Sequence, residues 1–120
     1  MIIEFPAPAP LLNLNGRQHW SKKAPIVAEW RRATWAWSLQ AAFGDPRPLP
    51  PSTVKVTLPV KSLVTRRDPH NFIPTVKPII DGLVDAKFWP DDTAEWVTVI
   101  DPEFWTGGMV LVEINPRSTP

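Results

Sequence analysis

Proline placement limits this chain more than any other feature of its sequence. Sixteen of the 120 residues are proline, and each one fixes φ and removes a backbone donor. Prolines at 6, 8 and 10 end any strand begun by residues 1–5 (MIIEF). Those at 46, 48, 50 and 51 make residues 44–51 (GDPRPLPP) a linker. Pro25 and Pro78 fit only the first turn of a helix, so they set where two helices can begin.

Between these marks, periodicity predicts the elements. Residues 21–43 read as the longest helix, with Ile26, Trp30, Ala33, Trp37 and Ala41 on one face, a cap at or near Ser21, and Gly44 as the stop. A second helix starts near Pro74 or Thr75. Its buried stripe is Val76, Ile79, Ile80, Leu83 and Val84, and Lys77, Asp81 and Asp85 form a polar stripe at i, i+4 and i+8. Gly82 inside that helix costs about 1 kcal/mol relative to alanine, which points to close packing there. Residues 53–60 (TVKVTLPV), 95–100 (EWVTVI) and 109–114 (MVLVEI) alternate as strands. The last two are joined through 101–108, which ends in a Gly-Gly turn, and NPRSTP at the end reads as a frayed tail. The expectation is one α+β domain over residues 1–120, of order β-α-β-α-β-β, with both helices on one face of a small mixed sheet.

No run approaches the ~18–20 apolar residues of a membrane span, and MIIEFPAPAP lacks a basic leader segment. With no cysteine there is no disulfide and no thiolate zinc site. The expectation is a cytoplasmic protein with no membrane partner. The net charge of +1 conceals an asymmetry: residues 1–67 hold ten Lys/Arg against three Asp/Glu, and residues 68–120 hold three against nine. Two readings follow. The halves attract each other in the fold, or cations grip a polyanion while carboxylates hold a metal that cuts it.

Residues 64–92, VTRRDPHNFIPTVKPIIDGLVDAKFWPDD, concentrate the candidate chemistry. Hydrolysis of a phosphodiester needs an activated water and counter-charge for the developing oxyanions, which carboxylate-held Mg²⁺ supplies. Asp68, Asp81, Asp91 and Asp92 are the candidate ligands, Lys77 a transition-state cation, and Arg66 and Arg67 phosphate contacts. Each has a plainer reading: Asp68 caps a turn, Asp91 and Asp92 form a solvated loop, and Lys77 with Asp81 is an ordinary i, i+4 pair. Asn13, Asn15, Arg17 and His19 in the loop at 11–20 either contact a phosphate backbone or stay in water, and Lys22, Lys23 and Arg31 on the first helix are further candidate DNA contacts. Trp35, beside Arg31 and Arg32, either stacks on bases or serves a core or dimer interface.

The order Arg66, Arg67, Asp68, His70, Asn71, then Lys77 four residues before Asp81, then Phe88, Trp89, Asp91 and Asp92, resembles the RusA family of Holliday junction resolvases. The stretch from Pro10 through Asn13 and the helix carrying Trp30 and Arg31 are similar more loosely. The resemblance implies a small α+β homodimer, of phage or prophage origin. With Mg²⁺ it nicks opposite strands of a four-way DNA junction symmetrically, leaving 5′-phosphate and 3′-hydroxyl ends. Asp68 and Asp92 match that family's essential metal-binding acids, Asp91 accompanies Asp92, and Lys77 matches its functional lysine. Asn71 belongs to the same motif. The departure is His70, where the best-known members carry a second aspartate. Imidazole suits Mn²⁺ better than Mg²⁺. His70 therefore shifts the metal preference, binds phosphate, acts as a general base, or is structural with Asp81 filling the vacancy. The alternative function is a branched-DNA or single-strand-binding protein that keeps the fold and has lost the metal site.

Overall fold

Alternate residues of three long strands build one apolar sheet face. The structure, a computed structural model, describes residues 1–16 and 19–117. Strand β1 (Ile2–Pro6) pairs antiparallel with the last strand, β5 (Met109–Pro116), which pairs antiparallel with β2 (Ser52–Pro59). The register sets Ile3 beside Val112 and Val112 beside Val56, with Phe5 beside Val110 and Val54 beside Ile114. All seven side chains are buried, because the two-residue period puts them on the same side of the pleat. The other face is wetter. There Lys55 bridges Glu113 at 3.1 Å and Glu103 at 3.4 Å.

On the apolar face lie α1 (Trp20–Ala41) and α2 (Ile73–Asp85), the latter preceded directly by a 3-10 helix (Pro69–Phe72). An α+β fold with a mixed sheet and both helices on one face is the expected architecture. Helix α2 buries Val76, Ile79, Ile80 and Leu83, as its periodicity predicts, with Val84 half-buried.

Helix α1 is rotated from expectation. Its buried residues are Trp30, Thr34 and Ser38; Ile26 and Ala33 are half-buried, while Trp37 is 40% exposed. The reason lies across the interface. A Cβ built on Gly82 of α2 would stand 2.6 Å from the Arg31 carbonyl oxygen and 2.8 Å from Thr34 Cβ. Backbones this close leave room only for small side chains, so Thr34 and Ser38 face the crossing, while Trp30 stays buried and Trp35 and Trp37 turn away. Thr34 returns its hydroxyl to the Trp30 carbonyl at 2.8 Å.

Other boundaries also differ. Both helices start early enough that Pro25 and Pro78 fall sixth in their helices, one turn deeper than expected. The cap of α1 is His19, whose Nδ1 accepts from the Ser21 N–H. The strand expected at 95–100 is only β3 (Val97–Val99), and the expected connecting turn contains β4 (Glu103–Trp105). Both pair with β2 in parallel, β3 along its first half and β4 along its second. The expected hairpin with β5 is therefore absent, because β4 and β5 flank β2 from opposite sides. The chain crosses the end of β2 at Gly107 and Gly108, where the Trp105 ring lies on Gly107 and its Nε1 donates to the Met109 carbonyl at 2.7 Å. The tail is ordered further than expected: β5 runs to Pro116, and Arg117 donates to the Ala94 and Glu95 carbonyls and to Thr98 Oγ1.

Substituting Gly82 separates two opposing effects. Helix propensity alone would favour alanine by about 1 kcal/mol, whereas the overpacked crossing costs about 1–3 kcal/mol. Contact against backbone cannot be relieved by a rotamer change, so Gly82→Ala should lower stability by about 2 kcal/mol in urea unfolding. A gain in stability would show that the two helices can move apart freely.

Candidate functional site

The acidic residues that matter are brought together by how α2 stops. Its last turn closes with Lys87 N–H on the Val84 carbonyl at 2.9 Å and Phe88 N–H on the Leu83 carbonyl at 3.2 Å. This paired pattern needs a left-handed residue after the cap, and Lys87 takes that position at φ 69°. The chain then reverses and buries Phe88 and Trp89 in the core. Trp89 Nε1 donates to the Pro50 carbonyl at 3.2 Å, and the Phe88 carbonyl accepts from Leu49 N–H at 2.7 Å. Arg47 donates to the Ala86 carbonyl at 3.0 Å, at the negative end of the helix. So anchored, the following loop runs back beside α2 and sets Asp92 against Lys77.

Lys77 is the centre of that cluster. Its Nζ lies 2.8 Å from Asp81 Oδ1, one helical turn away, and 2.6 Å from Asp92 Oδ2. Hydrogen bonding to Asp81 and then to Asp92 raises the Lys77 pKa against a smaller opposing effect of burial. The same Lys77 bond holds the Asp92 carboxyl below the usual carboxylate range. All three side chains reach solvent. The polar stripe continues to Asp85, which accepts two hydrogen bonds from the Arg31 guanidinium at 2.6 and 2.9 Å. These bonds lower the Asp85 pKa and raise that of Arg31. Arg31 is thus a clamp between the helices, with half of its side chain still exposed.

The remaining candidates separate into distinct places. Asp91 accepts from the N–H and hydroxyl of Thr93 at 3.0 and 2.7 Å and shapes its own turn, so the two adjacent aspartates do different work. Asp68 caps the 3-10 helix by accepting from His70 N–H at 3.0 Å. Among the described residues no hydrogen bond or ion pair joins Asp68 to the Lys77 cluster, and no three carboxylate or imidazole groups are gathered as a metal cage. His70 is exposed beside Asp68 on that short helix. Asn71 contributes its backbone, accepting from Leu14 N–H at 2.8 Å. That bond docks the amino-terminal loop, where Asn13 Oδ1 accepts from Asn15 N–H at 2.8 Å, next to the start of α2. Lys23 donates to the Gly16 carbonyl at 3.3 Å, and Lys22 is exposed one residue before it. Arg17 lies outside the described residues.

Of the two arginines before Asp68, Arg66 is exposed and Arg67 is committed. Arg67 donates to the Ser62 and Thr65 carbonyls at 2.8 and 3.1 Å and lies 5.8 Å from the centre of the Phe104 ring. Three organising residues escape a reading of the sequence. Phe104 carries Arg67, Arg117 fixes the loop after Asp92, and buried Thr75 exchanges two hydrogen bonds with the Leu12 backbone at 2.8 and 2.7 Å. Only Thr75 has a signal in the sequence, as a hydroxyl among the apolar positions of α2.

The donors suit a hard cation. Asp81 and Asp92 present carboxylate oxygens from a helix and an anchored loop, and Mg²⁺ is commonly held by one or two carboxylates with substrate phosphate and water completing its shell. No protein-family model matches the chain, and no curated protein matches it significantly. Among the described residues no helix is long and apolar enough to cross a membrane.

Two measurements test this construction. Lys87→Gly relieves a left-handed backbone at an exposed site and should raise stability by about 1 kcal/mol; a loss would mean that the lysine side chain stabilises the turn. The Arg31–Asp85 pair gives a pH signature. A carboxyl with a lowered folded-state pKa adds stability above its unfolded value and loses it as pH falls through the folded value. The melting-temperature gap between wild type and Asp85→Asn should therefore be constant near neutrality and close as pH falls below the ordinary aspartate value of 3.8. A gap unchanged to strongly acid pH would show that the pair contributes nothing.

Proposed function

We propose that the protein is a structure-specific DNA endonuclease of the RusA type, a cytoplasmic homodimer that resolves four-way junctions by paired nicks with Mg²⁺, or with Mn²⁺ in its place. The observation that supports this reading best is the Lys77 ammonium held between Asp81 and Asp92. Lys77 and Asp92 are the functional lysine and one of the two metal-binding acids that the resemblance implies. Asp81, the acid expected to fill the vacancy at His70, joins them on an exposed ridge of α2, whereas Asp68, the other implied acid, stands apart. Asp81 and Asp92 would hold the metal, and Asp68 caps the 3-10 helix instead of joining them. Bound there, Mg²⁺ supplies Lewis acidity and counter-charge.

The chain's own residues do the rest. Lys77, kept protonated by its two carboxylates, offsets the negative charge that builds on the phosphate as water attacks in line. The bond from phosphorus to the 3′ oxygen breaks as the bond to water oxygen forms, and the 3′ oxygen takes a proton to leave as a hydroxyl. Arg66 and the lysines at 22 and 23 bind flanking phosphates, and the docked loop carrying Asn13 and Asn15 lies beside them. A junction with two-fold symmetry calls for two equivalent sites, hence two copies of the chain. The exposed apolar stripe of α1, formed by Trp20, Val27, Ala28 and Trp35, supports burial of that face between them.

End-labelled four-way junction, matched duplex and single strand, each with Mg²⁺, Mn²⁺ or EDTA, test the proposal. Symmetric nicks should appear in the junction alone and vanish with EDTA. Lys77→Ala and Asp92→Asn should each cut the rate by about 10²–10³-fold while junction binding persists. Binding without cleavage in either metal would instead identify a branched-DNA-binding protein whose site is impaired at His70. Absence of both binding and cleavage would overturn the assignment.

A further inference from the structure

The loop between β2 and the 3-10 helix, residues 61–67 (KSLVTRR), holds two apolar side chains out in water at its tip. Val64 is 91% exposed and Leu63 59% exposed. Leaving both uncovered forgoes the burial of two apolar side chains, and the loop is held in that position. Arg67 fastens it from below through the Ser62 and Thr65 carbonyls, Ser62 Oγ accepts from Val64 N–H at 3.2 Å, and Phe104 supports the guanidinium. Phe104 in turn meets Phe72 edge-on at 4.9 Å. The tip is therefore presented on a fixed base, and little ordering entropy remains to be lost when it binds.

The charge around the tip selects the partner. Residues 61–67 contain Lys61, Arg66 and Arg67 and no acid. Among the described residues, neither Lys61 nor Arg66 has an ion-pair partner. An apolar point between free cations fits a partner that is apolar inside and polyanionic at its edges, which describes stacked bases between phosphates. A groove of about 430 Å³ lies at the foot of the tip, lined by Leu63, Arg66, Arg67, Phe104 and one acid, Glu103, whose carboxylate pairs with Lys55 at 3.4 Å. The loop leads without a break into Asp68 and the 3-10 helix that precedes α2.

We propose that Leu63 and Val64 form a wedge that enters the base stack of DNA at a branch point, where unstacking is cheapest. The proposal rests on the DNA-directed reading above and adds what recognises the branch. Apolar side chains driven between base steps are an established means of opening and kinking DNA, and a junction already lacks continuous stacking at its centre. The wedge therefore favours branched DNA over intact duplex.

The test uses the full chain with Leu63→Ser and Val64→Ser combined, both at exposed positions, and a melting curve to verify the fold. Binding is measured in EDTA to a four-way junction carrying 2-aminopurine at the branch and to a matched duplex. Wild type should raise 2-aminopurine fluorescence at the junction. The double variant should lose that rise and about tenfold in junction affinity, with duplex affinity changed less than about twofold. Leu63→Trp should retain the fluorescence change. Equal junction binding and fluorescence in wild type and double variant would overturn the wedge and leave the nuclease reading intact. Failure of wild type to bind either DNA would overturn both. Loss of junction and duplex binding together, with a shift in sedimentation, would make the tip a contact between copies and overturn the wedge.

Discussion

The contact between Gly82 and the backbone of α1 is the constraint on which the other arrangements depend. Because a hydrogen takes the place of a side chain there, the helices meet at backbone distance and small residues line the crossing. The close approach brings Arg31 within reach of Asp85 and leaves the Lys77–Asp81–Asp85 stripe along the edge of the helix pair rather than beneath it. It also leaves Trp35 and Trp37 of α1 facing outward while Trp30 is buried. The candidate site and the apolar stripe proposed as a dimer face are thus two outcomes of one packing choice.

The second organising device is the reversal at Lys87. Asp92 reaches Lys77 across fifteen residues of sequence because a left-handed lysine, two buried aromatic rings and the proline-rich linker fix the path between them. The linker that looks like mere punctuation in the sequence therefore supplies the carbonyl that Trp89 Nε1 requires and the N–H that meets the Phe88 carbonyl.

What the sequence discloses follows the range of the interaction. The α2 stripe and the Lys77–Asp81 pair are local, and periodicity alone identifies them. The close approach at Gly82 reaches another helix, and its one signal in the sequence is a glycine where helix propensity disfavours it. The face of α1 is read correctly at Trp30 but misread at Trp37, because hydrophobicity favours tryptophan inside whereas a crossing over glycine admits only small groups such as Thr34 and Ser38. Residues 103–105 pass for a turn because β4 has its only strand partner in β2, more than forty residues earlier. The different roles of Asp91 and Asp92 are invisible in a pair of identical letters and emerge only when Thr93 and Lys77 claim one each.

The two ends of the chain meet in the sheet. The Met1 ammonium donates to the Ile114 carbonyl, the Met1 carbonyl accepts from Ile114 N–H, and β1 has no strand partner but β5. Strand β1 cannot pair until β5, more than a hundred residues later in the sequence, is available, which makes this closure a late and slow event in folding. Until then its alternating apolar residues are open to self-association. Pro6 closes the strand and the prolines at 8 and 10 just beyond it cannot extend a β ladder, so they confine that vulnerable segment to a few residues.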